Sequence, residues 1–328
     1  MGIGKKSSLY PLRFVPLFKR YLWGGRRLAT ELGKPIGEEE DYAESWDVVD
    51  HGDNQSRVAD GPLAGTTLGQ LVETEGESLL GKNYPQTSFP LLWKFLDAHR
   101  VLSVQVHPDD ARGAVLVPPD RGKTEAWIVL AADSESVLYA GLQEGVDRES
   151  FEQAIADGRS EECLHRLEVR PGDCIYIPAG TVHALGKGLL IAEIQQSSNT
   201  TYRLYDWNRT GADGKPRELH IEQGLEAIDF SRGPVQVQQP QKTADPQIER
   251  LVEGDHFTID RHRFTRQQTI GGDVRCHLIS PLSGTVMVAG DPSGKPLSRG
   301  EVLLLPASLG EVAVEPVGEV TLLDAYLP

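Results

Sequence analysis

The sequence predicts a mainly β protein of two tandem β-barrels with a few inserted helices, and three observations carry that reading. First, Gly, Pro, Asp and Asn punctuate the chain every several residues. The pieces between are short and rich in strand formers, as in CIYI (174–177), GLLIAEI (188–194), TVMVAG (285–290), VLLLP (302–306) and EVAVEP (311–316). Short runs at such spacing favour a sandwich or barrel over alternating βαβ units. Second, helical patterning is confined to three stretches. Third, one segment echoes another about 130 residues later, as repeated units do.

The first helical stretch is TTLGQLVETEGESLL, Thr66 to Leu80. The second is Asp147 to Leu167, where Phe151, Ile155, Cys163, Leu164 and Leu167 keep roughly helical spacing around a break at Gly158. The third is ELHIEQGLEAIDF, Glu218 to Phe230. These read as insertions packed around sheets.

The echo pairs PGDCIYIPAGTVHAL (171–185) with RGEVLLLPASLGEVAV (299–314): Gly172 matches Gly300, Asp173 matches Glu301, and Pro178-Ala179 matches Pro306-Ala307. At the position of His183 the second copy has Glu311. Between the two copies lies RGPVQVQQPQKTADPQ, Arg232 to Gln247, which lacks aromatics and carries three prolines. It is the best linker. The expected division is therefore 1–231, a β domain with helical insertions, and 232–328, a second β domain.

Composition narrows the function. The chain has 328 residues and a formal net charge of −15, which disfavours nucleic acid or an anionic membrane as a partner, since both require a basic surface. Any basic site must be local and enclosed. Three cysteines without a CxxC pair leave one unpaired in any disulfide scheme, so a reducing, cytoplasmic setting is expected. Pro11, Arg13 and Pro16 interrupt the apolar run that an export signal would need, and Lys6 stands where N-myristoylation requires Ser or Thr. No apolar run approaches the roughly 18 residues of a membrane span.

The chemistry gathers around a few motifs. Gly172, Pro178, Gly180 and His183 fit G-x5-P-x-G-x2-H without a gap. A turn glycine feeds an apolar strand, proline and glycine end it, and the chain turns back with His183 facing inward. Gln105 and His107, two apart in LSVQVHPDD, point to one face of a strand, and Ser103 shares their parity. Lys123 shares parity with Glu125 in GKTEAWIVL. Glu125 stands in an otherwise apolar strand, where an unpartnered carboxylate would be costly.

The G-x5-P-x-G-x2-H run resembles the second signature motif of the cupin superfamily, small barrels of jelly-roll type. Gln105, His107 and Glu125 resemble its first motif with two departures: Gln replaces the first His, and 17 residues separate His107 from Glu125. With those departures the chain resembles type I mannose-6-phosphate isomerases of the short bacterial form. FKRYLWGGRRLA (18–29), ESWDV (44–48), VADGPLAGTTLGQL (58–71), FPLLWKFLDA (89–98), TTYRLYDWNR (200–209) and KPRELHIEQ (215–223) are further blocks of that resemblance.

The resemblance implies two cupin-like jelly-roll barrels in tandem, a catalytic metal-binding domain over 1–231 and a C-terminal domain over 232–328 without metal ligands. It also implies one zinc per chain held by Gln105, His107, Glu125 and His183, although an N/O donor set by itself also suits iron, manganese or cobalt. The implied reaction interconverts mannose 6-phosphate and fructose 6-phosphate by proton transfer through a cis-enediolate. Such a site must stabilise an oxyanion, shuttle a proton and anchor a phosphate. Lys94, Ser103, Lys123 and Arg203 are the implied substrate-binding residues, and Glu193, Arg203 and Lys123 the implied catalytic ones. Glu193 leads for proton transfer. The alternatives are isomerisation or epimerisation of another sugar, possibly without a phosphate, and a non-catalytic sugar-binding cupin. A monomer or homodimer is expected. His51, His99, His165, His256, His262 and His277 fall outside the motifs and read as structural or surface residues; Trp23, Trp46, Trp93, Trp127 and Trp207 read as core residues, with the site's mouth the alternative for Trp23 in WGG.

Overall fold

The computed structural model describes residues 9–210 and 214–328. Its strands form four larger sheets, none of them closed, and one two-stranded ribbon. Two of the larger sheets build the half that carries the motifs. One has six strands in the order Cys174–Ile177, Glu125–Ala132, Leu189–Gln196, Leu91–Ala98, Tyr42–Val48, Leu17–Gly25. The other has five, in the order Leu164–Glu168, Val137–Leu142, His183–Leu185, Val104–Val106, Tyr202–Tyr205. All the pairings are antiparallel, so each strand has one face turned to the partner sheet and one turned away. Trp127, Val129 and Ile191 of the first sheet meet Leu138, Ala140 and Leu185 of the second in one buried cluster.

The other half repeats the plan. An eight-stranded sheet and a four-stranded sheet enclose Phe264, Ile279, Leu303 and Leu322 against Ile270, Val286, Val312 and Val314. The echo is visible in the backbone. Gly172 and Gly300 both adopt positive φ, +94° and +86°, the left-handed region open to glycine, and each opens a short strand that ends at a proline.

The halves are not separate bodies. Leu12–Val15 pairs with Leu303–Leu305 on one side and with Arg57–Val58 on the other, placing an N-terminal strand in the C-terminal sheet. A single core contains Leu12, Trp93 and Ile128 together with Leu251, Phe257 and Leu323. The proline-bearing segment after Arg232 lies along the first half: Val235 donates to the carbonyl of Ala140, and Gln238 to that of Cys174.

The helix predicted over Thr66–Leu80 runs from Leu68 to Leu80, with Thr67 and Gln70 forming a reciprocal capping box. It ends at Gly81, φ +58°, where an added Cβ would lie 2.1 Å from the carbonyl oxygen of Val274. The helix predicted over Glu218–Phe230 is shorter, Ile221–Ala227. The stretch Asp147–Leu167 is a helix only over Arg148–Ala156. After Gly158 it becomes a 3-10 turn and then a strand, because Leu167 and Leu164 pair with Leu138 and Leu142. Apolar residues three apart do not distinguish a helix face from an irregular edge strand, and the neighbouring strand decided the matter.

Candidate active site

The motif-bearing residues meet between the six- and five-stranded sheets. Register explains how. On the six-stranded sheet Glu193 lies opposite Lys94 on one side and Trp127 on the other, and Gln195 lies opposite Glu125. Cys174–Ile177 flanks the same edge, with Ile177 opposite Glu125. On the five-stranded sheet Gln105 lies opposite both His183 and Arg203. The turn of the PxG motif also anchors the loop that carries His107: Gly180 N–H donates to the carbonyl of His107, and Ala179 N–H to the hydroxyl of Thr124.

His107, Glu125 and His183 are each at most 1% exposed, and one donor atom of each lies within 4.8 Å of the others. Both imidazoles are oriented through Nδ1. That of His107 lies 3.0 Å from the carbonyl oxygen of Thr200, and that of His183 2.9 Å from the carbonyl oxygen of Thr181. A carbonyl only accepts, so each Nδ1 carries the proton and each Nε2 presents a lone pair. Those Nε2 atoms stand 3.4 and 3.3 Å from the two oxygens of Glu125. The side-chain amide of Gln105 lies 3.2 Å from Nε2 of His183.

Burial, and then the charge of Lys123, push His107 down to about 3, and burial also lowers His183, so both imidazoles are neutral. Burial works against ionisation of Glu125, but the charge of Lys123 outweighs it and holds the carboxyl well below its ordinary range. Two neutral imidazole nitrogens, a carboxylate and an amide that can present oxygen are a fitting donor set for a divalent ion such as zinc. The backbone acceptors behind the imidazoles are the usual outer partners of ligating histidines.

A cavity of about 310 Å³ opens beside this constellation. Ser103, Gln105, Lys123, Glu125, Lys94, Glu193 and Arg203 all line it, so every residue singled out from the sequence except the two histidines reaches its wall. Lys123 Nζ lies 2.6 Å from Glu125, 2.8 Å from His107 Nε2 and 3.7 Å from Glu193. Lys94 Nζ lies 3.4 Å from Glu193 and 3.9 Å from Glu44. Burial opposes the charge of Lys94, but Glu193, Glu44 and Glu125 more than compensate and raise its pKa. Burial, followed by the charge of Glu125, pushes Glu193 up to about 7, and its Oε1 has no hydrogen-bond partner. Arg203 donates from Nη1 to the carbonyl of Glu218, while its Nε is buried without a partner.

Glu44, Arg217 and Tyr21 are among the wall residues that were given no role from the sequence. Glu44 receives the indole N–H of Trp46, two residues on, and so sits on the same strand face. Arg217 joins Arg203 at the wall while bonded to Asp206. Tyr21 stacks on Trp23, ring centroids 5.6 Å apart, at the same cavity. The alternation of Glu44 and Trp46 in ESWDV was the available signal for the first. Arg217 lies in the KPRELHIEQ block of the resemblance, which was the available signal for it.

Fold and site together define a β-sandwich protein with a buried His–Glu–His constellation able to hold a metal ion beside a small charged cavity. Residues 12–126 match the family described as phosphomannose isomerase type I, catalytic domain. The chain is 36% identical over 308 residues to the probable mannose-6-phosphate isomerase GmuF of Bacillus subtilis, covering 93% of this chain and 96% of that one. It is 36% identical over 310 residues to mannose-6-phosphate isomerase ManA of the same organism, covering 94% and 97%. The crystal structure of a mannose 6-phosphate isomerase from Bacillus subtilis superposes with a TM-score of 0.88 at 30% identity, covering 97% of this chain and 100% of that one. The chain belongs to the type I phosphomannose isomerase family of aldose–ketose isomerases.

Proposed function

We propose that this protein interconverts mannose 6-phosphate and fructose 6-phosphate, with one zinc ion held by Gln105, His107, Glu125 and His183. The observation that carries the reading is the convergence on one small cavity of that donor set with a buried carboxyl, two buried lysines and a half-buried arginine. The chemistry a bound zinc supplies here is Lewis-acid polarisation of a sugar carbonyl.

The chain's own residues do the rest. Glu193, held near neutrality by burial and by Glu125, takes the proton from one carbon and returns it to the next. Lys94 and Lys123 flank it and offset the negative charge that develops on the enediolate. Arg203, its fork oriented by the Glu218 carbonyl, binds an anionic oxygen of the substrate, and Arg217 adds a second cation beside it. Ser103, 4% exposed, supplies a hydroxyl to the sugar. The two sheet pairs are read as two cupin-like jelly-roll barrels, divided near residue 231, with the strand Leu12–Val15 reaching across. Three free cysteines, two of them buried, suit a reducing, cytoplasmic setting. The working unit is a monomer or homodimer.

The test is turnover of both sugar phosphates by zinc-loaded protein in deuterated water. Exchange of label into C1 or C2 together with interconversion is expected. Mannose without its phosphate should lose most of the activity, because the phosphate contacts are then unavailable to the transition state. Turnover of neither sugar phosphate would overturn the reading.

A further inference from the structure

The loop between His107 and Glu125, unusually long for a cupin-like motif, brings Asp120 to the back of the metal-ligating constellation. Its carboxylate lies among five donors. Oδ2 accepts from the hydroxyl of Thr200 at 2.7 Å, the hydroxyl of Ser198 at 2.9 Å and the N–H of Asn199 at 3.3 Å. Oδ1 accepts from the N–H of Arg121 at 2.8 Å and faces Nε2 of His51 at 3.2 Å. Burial of this carboxyl works against its charge, but His51, Thr200 and Ser198 overcome it and hold the group well below its ordinary range.

Three of those donors belong to consecutive residues, 198–200, which have no strand or helix ladder of their own. This segment serves the site twice. The Thr200 carbonyl takes the Nδ1–H of His107 and thereby sets which imidazole nitrogen faces Glu125. Asn199 and Thr201 line the substrate cavity. From the other side the segment is tied by Gln195, whose amide donates to the Ser198 carbonyl at 2.7 Å, and by Ser197, whose hydroxyl donates to the Asp50 carbonyl at 2.9 Å. Without Asp120, two hydroxyls and a backbone N–H lose their common acceptor, and the Thr200 carbonyl loses the constraint that aims it.

We propose that Asp120 is a positioning residue for the active site: by clamping residues 198–200 it holds the Thr200 carbonyl against His107 Nδ1 and sets the Asn199–Thr201 wall of the substrate cavity. The proposal rests on the metal-site reading above and extends it to a residue that touches neither the ion nor the sugar. It accounts for the long loop. The added residues carry a carboxylate to the one place from which it can brace both the histidine's backbone acceptor and the cavity wall.

The experiment compares zinc affinity, by chelator competition, of the unaltered chain with that of Asp120→Ala and Asp120→Asn, alongside kcat and KM. Asp120→Ala should weaken zinc binding about 10- to 100-fold, the range typical of lost outer partners of a ligating histidine. Its KM should rise even when zinc is saturating, and the visible spectrum of a cobalt-substituted sample should shift. Asp120→Asn, which keeps an oxygen toward Thr200 and Ser198, should fall between the two. Should Asp120→Ala fail to fold, Thr200→Val and Ser198→Ala each remove one donor while leaving the carboxylate, and each should weaken zinc binding several-fold. Folded variants that bind zinc as the unaltered chain does, with an unchanged cobalt spectrum, would overturn the proposal while leaving the metal reading intact. An unaltered chain that binds no divalent ion would overturn the metal reading and the proposal together.

Discussion

Glu193→Gln isolates the proposed base, because the amide keeps the shape and removes only the titration. Glu193 is 2% exposed, and its carboxyl is raised from an ordinary value of 4.5 to about 7, first by burial and then by the charge of Glu125. At about 1.4 kcal/mol per unit, ionising it in the fold costs on the order of 3 kcal/mol more than in the unfolded chain. The sign follows. Between pH 4.5 and about 7 the unfolded chain releases this proton while the folded chain retains it, so metal-free stability falls as pH rises through that window and then levels. Glu193→Gln should flatten this slope in urea titrations, with little change at its acid end, where the native carboxyl is already protonated.

For activity the carboxylate is the working form, so kcat/KM should climb with pH as Glu193 ionises. A dication on Glu125 cancels the second cause of the raised value, which moves that ascending limb in the zinc-loaded enzyme below about 7. Glu193→Gln should lose the limb and about 10²- to 10⁴-fold in kcat, the usual contribution of a positioned acid–base group. The assay is a coupled isomerase measurement from pH 5 to 9. A variant within about threefold of the unaltered enzyme that keeps the ascending limb would refute the assignment, since no base working at Glu193 survives as an amide.

Other substitutions test neighbouring parts of the argument. Arg203→Ala removes a charge-assisted contact worth about 1.5–3 kcal/mol and should raise KM for the sugar phosphate about tenfold or more, read by initial rates; an unchanged KM would remove Arg203 from the substrate. His183→Ala deletes a fully buried donor beside Glu125, and elemental analysis after dialysis should show zinc lost together with activity. Leu12→Ala opens a cavity in the core shared by the two halves and should cost about 2–5 kcal/mol in denaturant titration, although Leu12 is far from the site in sequence.

Several features were legible locally. The PAGTVHAL turn, the shared strand face of Gln105 and His107, and the helix read over Thr66–Leu80 depend on neighbours a few residues apart. Side-chain alternation, positive-φ glycines and N-caps are properties of the local chain. The same locality explains what was misread. Leu164 and Leu167 follow a helix closely enough to look like its continuation, but their partners Leu142 and Leu138 lie on another strand. Glu44 and Arg217 lie in blocks of the resemblance, ESWDV and KPRELHIEQ, but were given no role there, and each reaches the cavity because its segment is laid beside it.

The sequence by itself determined a mainly β chain with an inward-turned histidine at 183 and a short list of residues able to hold a metal or move a proton. Only the tertiary structure decided that Glu193 stands opposite Lys94, that Gln105 lies between His183 and Arg203, that Asp120 clamps the Thr200 segment, and that Leu12 pairs with Leu304. The physical reason is that strand order and register are set by which faces bury together, and a burial partner tens to hundreds of residues away leaves no periodic mark on the chain.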